Sequence, residues 1–196
     1  MNIIGYSGHS FVCLEIALLM DIPIRGYCDL VVKDKNPYGL TYLGKEQELN
    51  PGEAVFICIA DNQIRRNIYR SLPSLNYSFN LIHPSSTLSQ TAKIGFQTLV
   101  CAGALINAQV IIGNGCIINT GSIVEHECKI SDFVHVGPGA VLSGNVCIGS
   151  GSFVGANAVI RQGIKIGRNV VIGAGSVVIR NIPDNSIVVG NPTKKI

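Results

Sequence analysis

The chain has 196 residues, with 15 Lys plus Arg against 12 Asp plus Glu and a formal charge of +3. That balance excludes a dedicated nucleic-acid binder, and 14% charged with 47% hydrophobic residues excludes a disordered chain. Glycine occurs 22 times and Trp not at all, a composition unsuited to a helical bundle. The seven cysteines (13, 28, 58, 101, 116, 128 and 147) form no C-x-x-C, so neither a zinc site nor a redox pair is expected, and they read as buried thiols in a reducing compartment. The first residues lack a basic leader and no window of about 18 residues is free of polar groups. The reading is a cytoplasmic protein with no membrane span.

Composition shifts near Pro84. Residues 1–84 hold 8 acidic residues and 6 glycines, whereas 85–196 hold 4 acidic residues and 16 glycines. Two domains are expected, 1–84 and 85–196. In the first, Asn2–Ile4 reads as a strand, Gly5-Tyr6-Ser7-Gly8-His9 as a turn and Phe11–Met20 as a helix. Ile24–Cys28 and Ala54–Ala60 follow as strands, Asp61–Leu72 as a helix capped by Asp61, and Phe79–Ile82 as a last strand. Strand, glycine turn, helix, strand is the Rossmann-like arrangement that cradles phosphates, because free N–H groups at a helix start attract anions. The turn lacks the third glycine of a dinucleotide fingerprint; position 10 is Ser. Asp29 sits where a carboxylate accepts from a ribose or base, or else serves as a turn residue. His9 reads equally as a phosphate contact or a turn histidine, and His83, before Pro84, as structural.

The second region has a period of six. An aliphatic residue recurs from Leu88 through Ile94, Val100 and onward to Val178 without a gap, often followed by Gly. Two residues before it stands a small side chain such as Ala104, Cys116, Ser122 or Ala140. Residues i and i−2 of a strand share a face, so both point inward and a corner follows within each six. Three sides close a prism of hexapeptide repeats with about five coils, a parallel β-helix. Within residues 88–178 the only acids are Glu125, Glu127 and Asp132 and the only histidines His126 and His135. A coil needs none of them for packing, so they read either as a solvated corner or as a general base with an orienting carboxylate. The phase puts His126 at a corner and His135 on the opposite side, pointing outward. One chain does not bring them to one atom, so the reading is a site shared between subunits of a homo-oligomer, with three-fold packing suited to a prism. Cys128 has inward phase and is expected to be inert. Lys194 and Lys195, beyond the regular repeats, read either as coenzyme-phosphate contacts or as a solvated end.

At Gly5–His9, Asp61-Asn62 with Arg65, Asn119, Val124–Cys128, His135 and the tail Val188–Pro192, the sequence resembles the bacterial nucleotide-sugar N-acetyltransferases. These include the UDP-4-amino-sugar and perosamine enzymes and the related sialic-acid O-acetyltransferases. The resemblance implies a left-handed β-helix behind a Rossmann-like subdomain, a homotrimer, and acetyl-CoA as co-substrate without a metal. It implies His126 as general base, Glu127 as the carboxylate raising its basicity, and His135 as an acetyl-thioester contact. Gly144, Ala156 and Ala174 correspond to the pantetheine groove, Asn119 to the acceptor pocket, and Ser7, Gly8, His9 and Asp29 to the nucleotide sugar. Leu30 and Ala60 fall at nucleotide-sugar positions but depart from the usual acid and Gly, and Thr193 replaces a tail Ala. Function is then acetyl transfer to the amino group of a nucleotide-linked amino-deoxy sugar in surface-glycan synthesis. The alternatives are O-acetylation of a sialic acid or similar sugar, and a non-catalytic nucleotide-sugar-binding scaffold. An NAD-dependent oxidoreductase is disfavoured by the short front domain.

Overall fold

A computed structural model describes residues 1–196. The front of the chain forms β1 (Asn2–Ile4), α1 (Gly8–Leu19), β2 (Gly26–Cys28), β3 (Thr41–Tyr42), a 3₁₀ turn (Glu46–Glu48), β4 (Val55–Ile57) and α2 (Asn62–Ser71). The four strands pair in parallel in the order β3-β2-β1-β4. Several elements differ from expectation at their ends, for local reasons. α1 starts three residues early because Ser10 closes its first turn: the Ser7 N–H donates to Ser10 Oγ at 2.8 Å and that hydroxyl donates to the Ser7 carbonyl at 2.6 Å. β2 is confined to the three residues that face β1, so Ile24 and Arg25 lie outside it. β4 stops at Ile57, beyond which the chain bends towards α2, whose first turn Asp61 caps by accepting from the Ile64 N–H at 2.8 Å.

The remainder winds as a left-handed parallel β-helix with three flat sides. Leu81–Ile82 pairs with Leu99–Val100 and is the first rung of this column, where a last strand of the front sheet was expected. Coils start at Leu81, Leu99, Ile117, His135, Phe153 and Val171, one more than the repeat count suggested, because Ile82 is also in phase. The inward ladder, from Val100 through Ile118, Val136 and Val154 to Ile172, is essentially fully buried and forms the core with its counterparts on the other two sides. Small residues at the inner corners, Ala104, Cys116, Ser122, Cys128, Ala140 and Ser152, are buried as the phase predicted. Glycine follows the inward aliphatic where coils touch: a Cβ at Gly137 would lie 2.6 Å from the Val154 carbonyl oxygen of the next coil. The last step is shorter, with Ile166 opposite Ile182 and Val171 opposite Ile187, so 16 residues replace 18. Lys194–Lys195 then folds back antiparallel on Val188–Val189. No helix is long and apolar enough to cross a membrane.

The three sides carry different outer faces. The third bears Lys93, Ile111, Lys129, Cys147 and Lys165. The second bears Leu105, Ile123, Val141, Val159 and Val177, an apolar ladder with no covering element in the chain. The first begins with Leu81, Leu99 and Ile117, and α1 lies across these three, sharing one buried cluster with them and with Ile3, Tyr6 and Phe56 of the front sheet. The two regions thus have a common core.

Arg65 fastens them. It is 1% exposed, and its guanidinium donates from Nε to the Gly115 carbonyl of the column at 2.7 Å, from Nη1 to the Ile59 and Ala60 carbonyls, and from Nη2 to Asn62 Oδ1. Asn62 Nδ2 in turn donates to the Gly151 and Ser152 carbonyls of the column. Burial lowers the Arg65 pKa to about 10, still charged at neutral pH. Replacing it leaves buried carbonyls without donors, so Arg65→Met is expected to lower the unfolding free energy by about 3 kcal/mol. Urea denaturation followed by circular dichroism measures this; a loss under about 1 kcal/mol would mean that the apolar cluster alone holds the regions together.

Candidate active site

At the corner after the second side, His126 is half exposed and its Nδ1 lies 3.0 Å from Glu127 Oε2. With the carboxylate accepting, Nδ1 carries the proton and Nε2 keeps its lone pair. Glu127 occupies the left-handed position of the corner, at φ 60°. Other corners put Gly139, Asn145, Gly151 and Asn157 there, but also Gln109 one coil earlier and Phe133 at the next corner. A non-glycine residue there costs on the order of 1 kcal/mol, and the column accepts it at several corners; at this one the side chain is a carboxylate within reach of the imidazole. Flanking coils hold the corner rigidly, Glu127 N–H donating to Ala108 at 3.0 Å and Asn145 N–H to the His126 carbonyl at 2.8 Å. The ring rests on Gly144 one coil later, where a Cβ would lie 2.5 Å from Cε1 and 2.6 Å from Nε2. Gly144 is therefore the floor beneath the imidazole.

His135 behaves differently. Its side chain leaves the outer face of the first side, as the phase predicted, but is only 7% exposed because the front region covers it. Nε2 lies 3.0 Å from Asn119 Nδ2, the ring meets Phe153 edge-on, and His9 from the start of α1 is 6.4 Å away centre to centre. Nδ1 is buried and faces the Ala60 backbone without a well-formed hydrogen bond. Burial, and then the Arg65 charge, push the pKa of both histidines down to about 4. Both are neutral near pH 7.

Ser7 and Gly8 are exposed at the start of α1, beside His9. Gly5 needs its glycine, since at φ +89° a Cβ would lie 2.6 Å from Ile59, whereas a Cβ at Gly8 meets open space. Ser7, the residue before α1, lines a cleft of about 360 Å³ together with residues at the ends of β1, β2 and β4 and with Ile64, Asn67 and Ile68 of α2. Leu30 lines that cleft. Asp29 also reaches it, but accepts from the Tyr6 and Leu30 N–H groups at 2.9 and 2.7 Å and pairs with Lys33 at 2.9 Å, so its carboxylate shapes the loop. Ala60 lines a second hollow, of about 600 Å³, with Asn62, His135, Phe153 and Val171. Ala156 and Ala174 stack one coil apart on the corner after the first side. The structure thus gathers Asn119, His135, Ala156 and Ala174 along one edge of the prism, and His126, Glu127 and Gly144 along another.

His83 accepts from the Ser85 N–H at 3.0 Å and holds a turn. Cys128 is buried, with its pKa raised to about 11, chiefly by burial. Lys194 and Lys195 are exposed. No three His, Cys, Asp or Glu side chains cluster as metal ligands do. Sequence reasoning passed over Ser10, which occupies the missing-glycine position fully buried, and assigned no task to Arg65 or Asn62. The polar pair Asn62 and Arg65, three apart on one helix face, was the available signal.

Residues 1–72 match the PglD N-terminal domain, and residues 127–162 and 148–180 match the bacterial transferase hexapeptide (six repeats). No curated protein sequence gives a significant match. Among solved structures, a mutant of perosamine N-acetyltransferase from Caulobacter crescentus, in complex with CoA and GDP-perosamine, is 31% identical with a TM-score of 0.92, over 100% of this chain and 95% of that one. The acetyltransferase domain of PglB from Neisseria gonorrhoeae FA1090, in complex with acetyl coenzyme A, is 34% identical with a TM-score of 0.92, over 100% of this chain and 98% of that one. WeeI from Acinetobacter baumannii AYE shares the fold, at 23% identity and a TM-score of 0.89 over 100% of this chain and 98% of that one.

The depressed His135 pKa has a consequence for stability. The unfolded chain binds this proton near pH 6.5 and the folded chain only near pH 4. Stability present above the unfolded pKa is therefore lost as pH falls between those values, by on the order of 3 kcal/mol. His135→Gln is expected to flatten the pH dependence of the melting temperature between pH 6.5 and 4, and an unchanged slope would show that His135 titrates freely.

Proposed function

We propose, from the premise that the chain belongs to the hexapeptide-repeat nucleotide-sugar N-acetyltransferases, that it moves the acetyl group of acetyl-CoA to the amino group of a nucleotide-linked amino-deoxy sugar. One observation carries the reading: the Glu127 carboxylate fixes the His126 tautomer and leaves Nε2, beside Gly144, without a hydrogen-bond partner in the chain. His126 accepts the proton that the sugar amine loses as its nitrogen bonds to the acetyl carbon. The carbon–sulfur bond breaks and CoA departs as a thiolate, which takes the proton back from the imidazolium to give the free thiol. Glu127 stabilises the imidazolium formed in that step. The open N–H groups of α1 suit the diphosphate of the sugar nucleotide.

The site is completed by a partner copy. In one chain the edge bearing His126 is separate from the edge bearing His135, Asn119, Ala156 and Ala174. The uncovered ladder of Leu105, Ile123, Val141, Val159 and Val177 borders the His126 corner and is an apolar face of the kind that packs on another subunit. A three-fold homotrimer brings one chain's His126 to the next chain's His135, with the co-substrate lying between them along Phe153, Ala156 and Ala174. An amine acceptor is favoured over a hydroxyl because the perosamine enzyme, 31% identical, is named for N-acetyl transfer. A scaffold has no use for a His126–Glu127 pair at an exposed corner. The reading requires the cytoplasm, where acetyl-CoA is made, and the free cysteines suit that compartment.

His126→Ala is expected to lower kcat by about 10²- to 10⁴-fold while CoA binding survives, measured by thiol release with an amino-sugar nucleotide. Near-normal turnover would remove His126 from the role. Gly144→Ala forces the ring aside and is expected to lower kcat more than it raises KM. Val141→Asp is expected to give monomers without activity by light scattering and assay; active monomers would refute the shared site.

A further inference from the structure

The cleft beside α2, next to Ser7 and Asp29, holds a carboxylate that the folded chain leaves short of donors. Glu46, at the start of the 3₁₀ turn, lines it and is only 9% exposed. Its Oε1 accepts one hydrogen bond, from Gln47 Nε2 at 3.1 Å, and no Lys, Arg or His stands within ion-pair distance. Asp29, the other acid of the cleft, takes two backbone N–H groups and the Lys33 ammonium, the only lysine lining it. A carboxylate offers about four acceptor positions, and the chain fills one of them at Glu46, leaving the others to whatever occupies the cleft. Ser7 and Asn67 also line the cleft, and between these polar groups Ile4, Ile59, Ile64, Ile68 and Leu30 offer apolar surface suited to the faces of a flat ring. The cleft therefore asks for a planar ligand whose edge carries adjacent N–H donors.

Nucleobases differ sharply on that demand. Guanine presents N1–H beside its 2-amino group, two parallel donors that match both oxygens of one carboxylate. Uracil and thymine present a single N–H between two carbonyl oxygens, which a carboxylate repels. Adenine and cytosine place a ring-nitrogen lone pair next to their amino group, again facing the carboxylate with an acceptor. Resting on the reading that this cleft receives a nucleotide sugar, we propose that Glu46 reads the base and that the donor of the amino sugar is a guanosine diphosphate derivative. Its carboxylate accepts from N1–H and the 2-amino group of guanine, while the ring lies against the isoleucines. Selection works by exclusion as much as by attraction, because a uracil would leave the buried charge facing oxygens.

Titration calorimetry with GDP and UDP tests this on the full chain, with CoA binding and the melting temperature as controls for folding. The native chain is expected to bind GDP about tenfold or more tightly than UDP. Glu46→Gln, similar in shape but uncharged, is expected to bring the ratio below about threefold, mainly by weakening GDP, with CoA affinity unchanged. Preference of the native chain for UDP, or a GDP-to-UDP ratio untouched by Glu46→Gln, overturns the base assignment alone. Binding of neither nucleotide by a chain that still binds CoA overturns the nucleotide-sugar reading and this inference with it.

Discussion

The guanidinium of Arg65 is the constraint on which the working arrangement depends. It sits where α2, the bend after β4 and the column meet, and donates to all three. Without it, the Ile59 and Ala60 carbonyls would have no donor at a buried seam, and the hollow beside His135 would lose a wall. Its charge also reaches His9 and His135 and helps keep both rings neutral. A single buried cation thus positions the loops and adds to the burial that keeps the two nearest imidazoles neutral. The apolar cluster beneath, in which α1 packs on Leu81, Leu99 and Ile117, supplies area without direction. Arg65 and Asn62 supply the register.

The column contributes rigidity of another kind. Every backbone group along its sides pairs with the coils above and below, so an outward side chain is placed by its neighbours 18 residues away on either side. Glu127 can occupy a left-handed conformation unsuited to it because the flanking coils over-determine the corner. Gly144 exemplifies the converse, since what matters there is the absence of a side chain under the imidazole. The chemistry is therefore distributed across adjacent coils.

Much of this was legible before any coordinates. A strict period of six left one solution for the second region, and it gave the inward ladder and the small inner corners residue by residue. His126 and Glu127 stood out because a column made of aliphatics, small residues and glycines has no structural need for them. The period could not reveal the cover on His135, because burial of an outward side chain depends on a distant segment folding across it. Nor did it show that Asp29 is taken up by its own loop while Glu46 is left under-partnered, since spacing identifies an acid but not its donors. The shift of Leu81–Ile82 from the front sheet to the column has the same origin: a short apolar strand next to a hexad array pairs with whichever edge is in phase, and Ile82 is.

The shortened final step of the column bears on the size of the molecule. A regular parallel helix is an open lattice, in which each completed triangle offers unpaired N–H and C=O groups that another molecule's first triangle would match. The drop from 18 residues to 16 ends the exact repeat at the last rung, and the reversed strand at Lys194–Lys195 pairs with Val188–Val189 and brings two positive charges. A further coil in register would meet, at this rung, a reversed strand and two ammonium groups where a regular column offers open backbone groups.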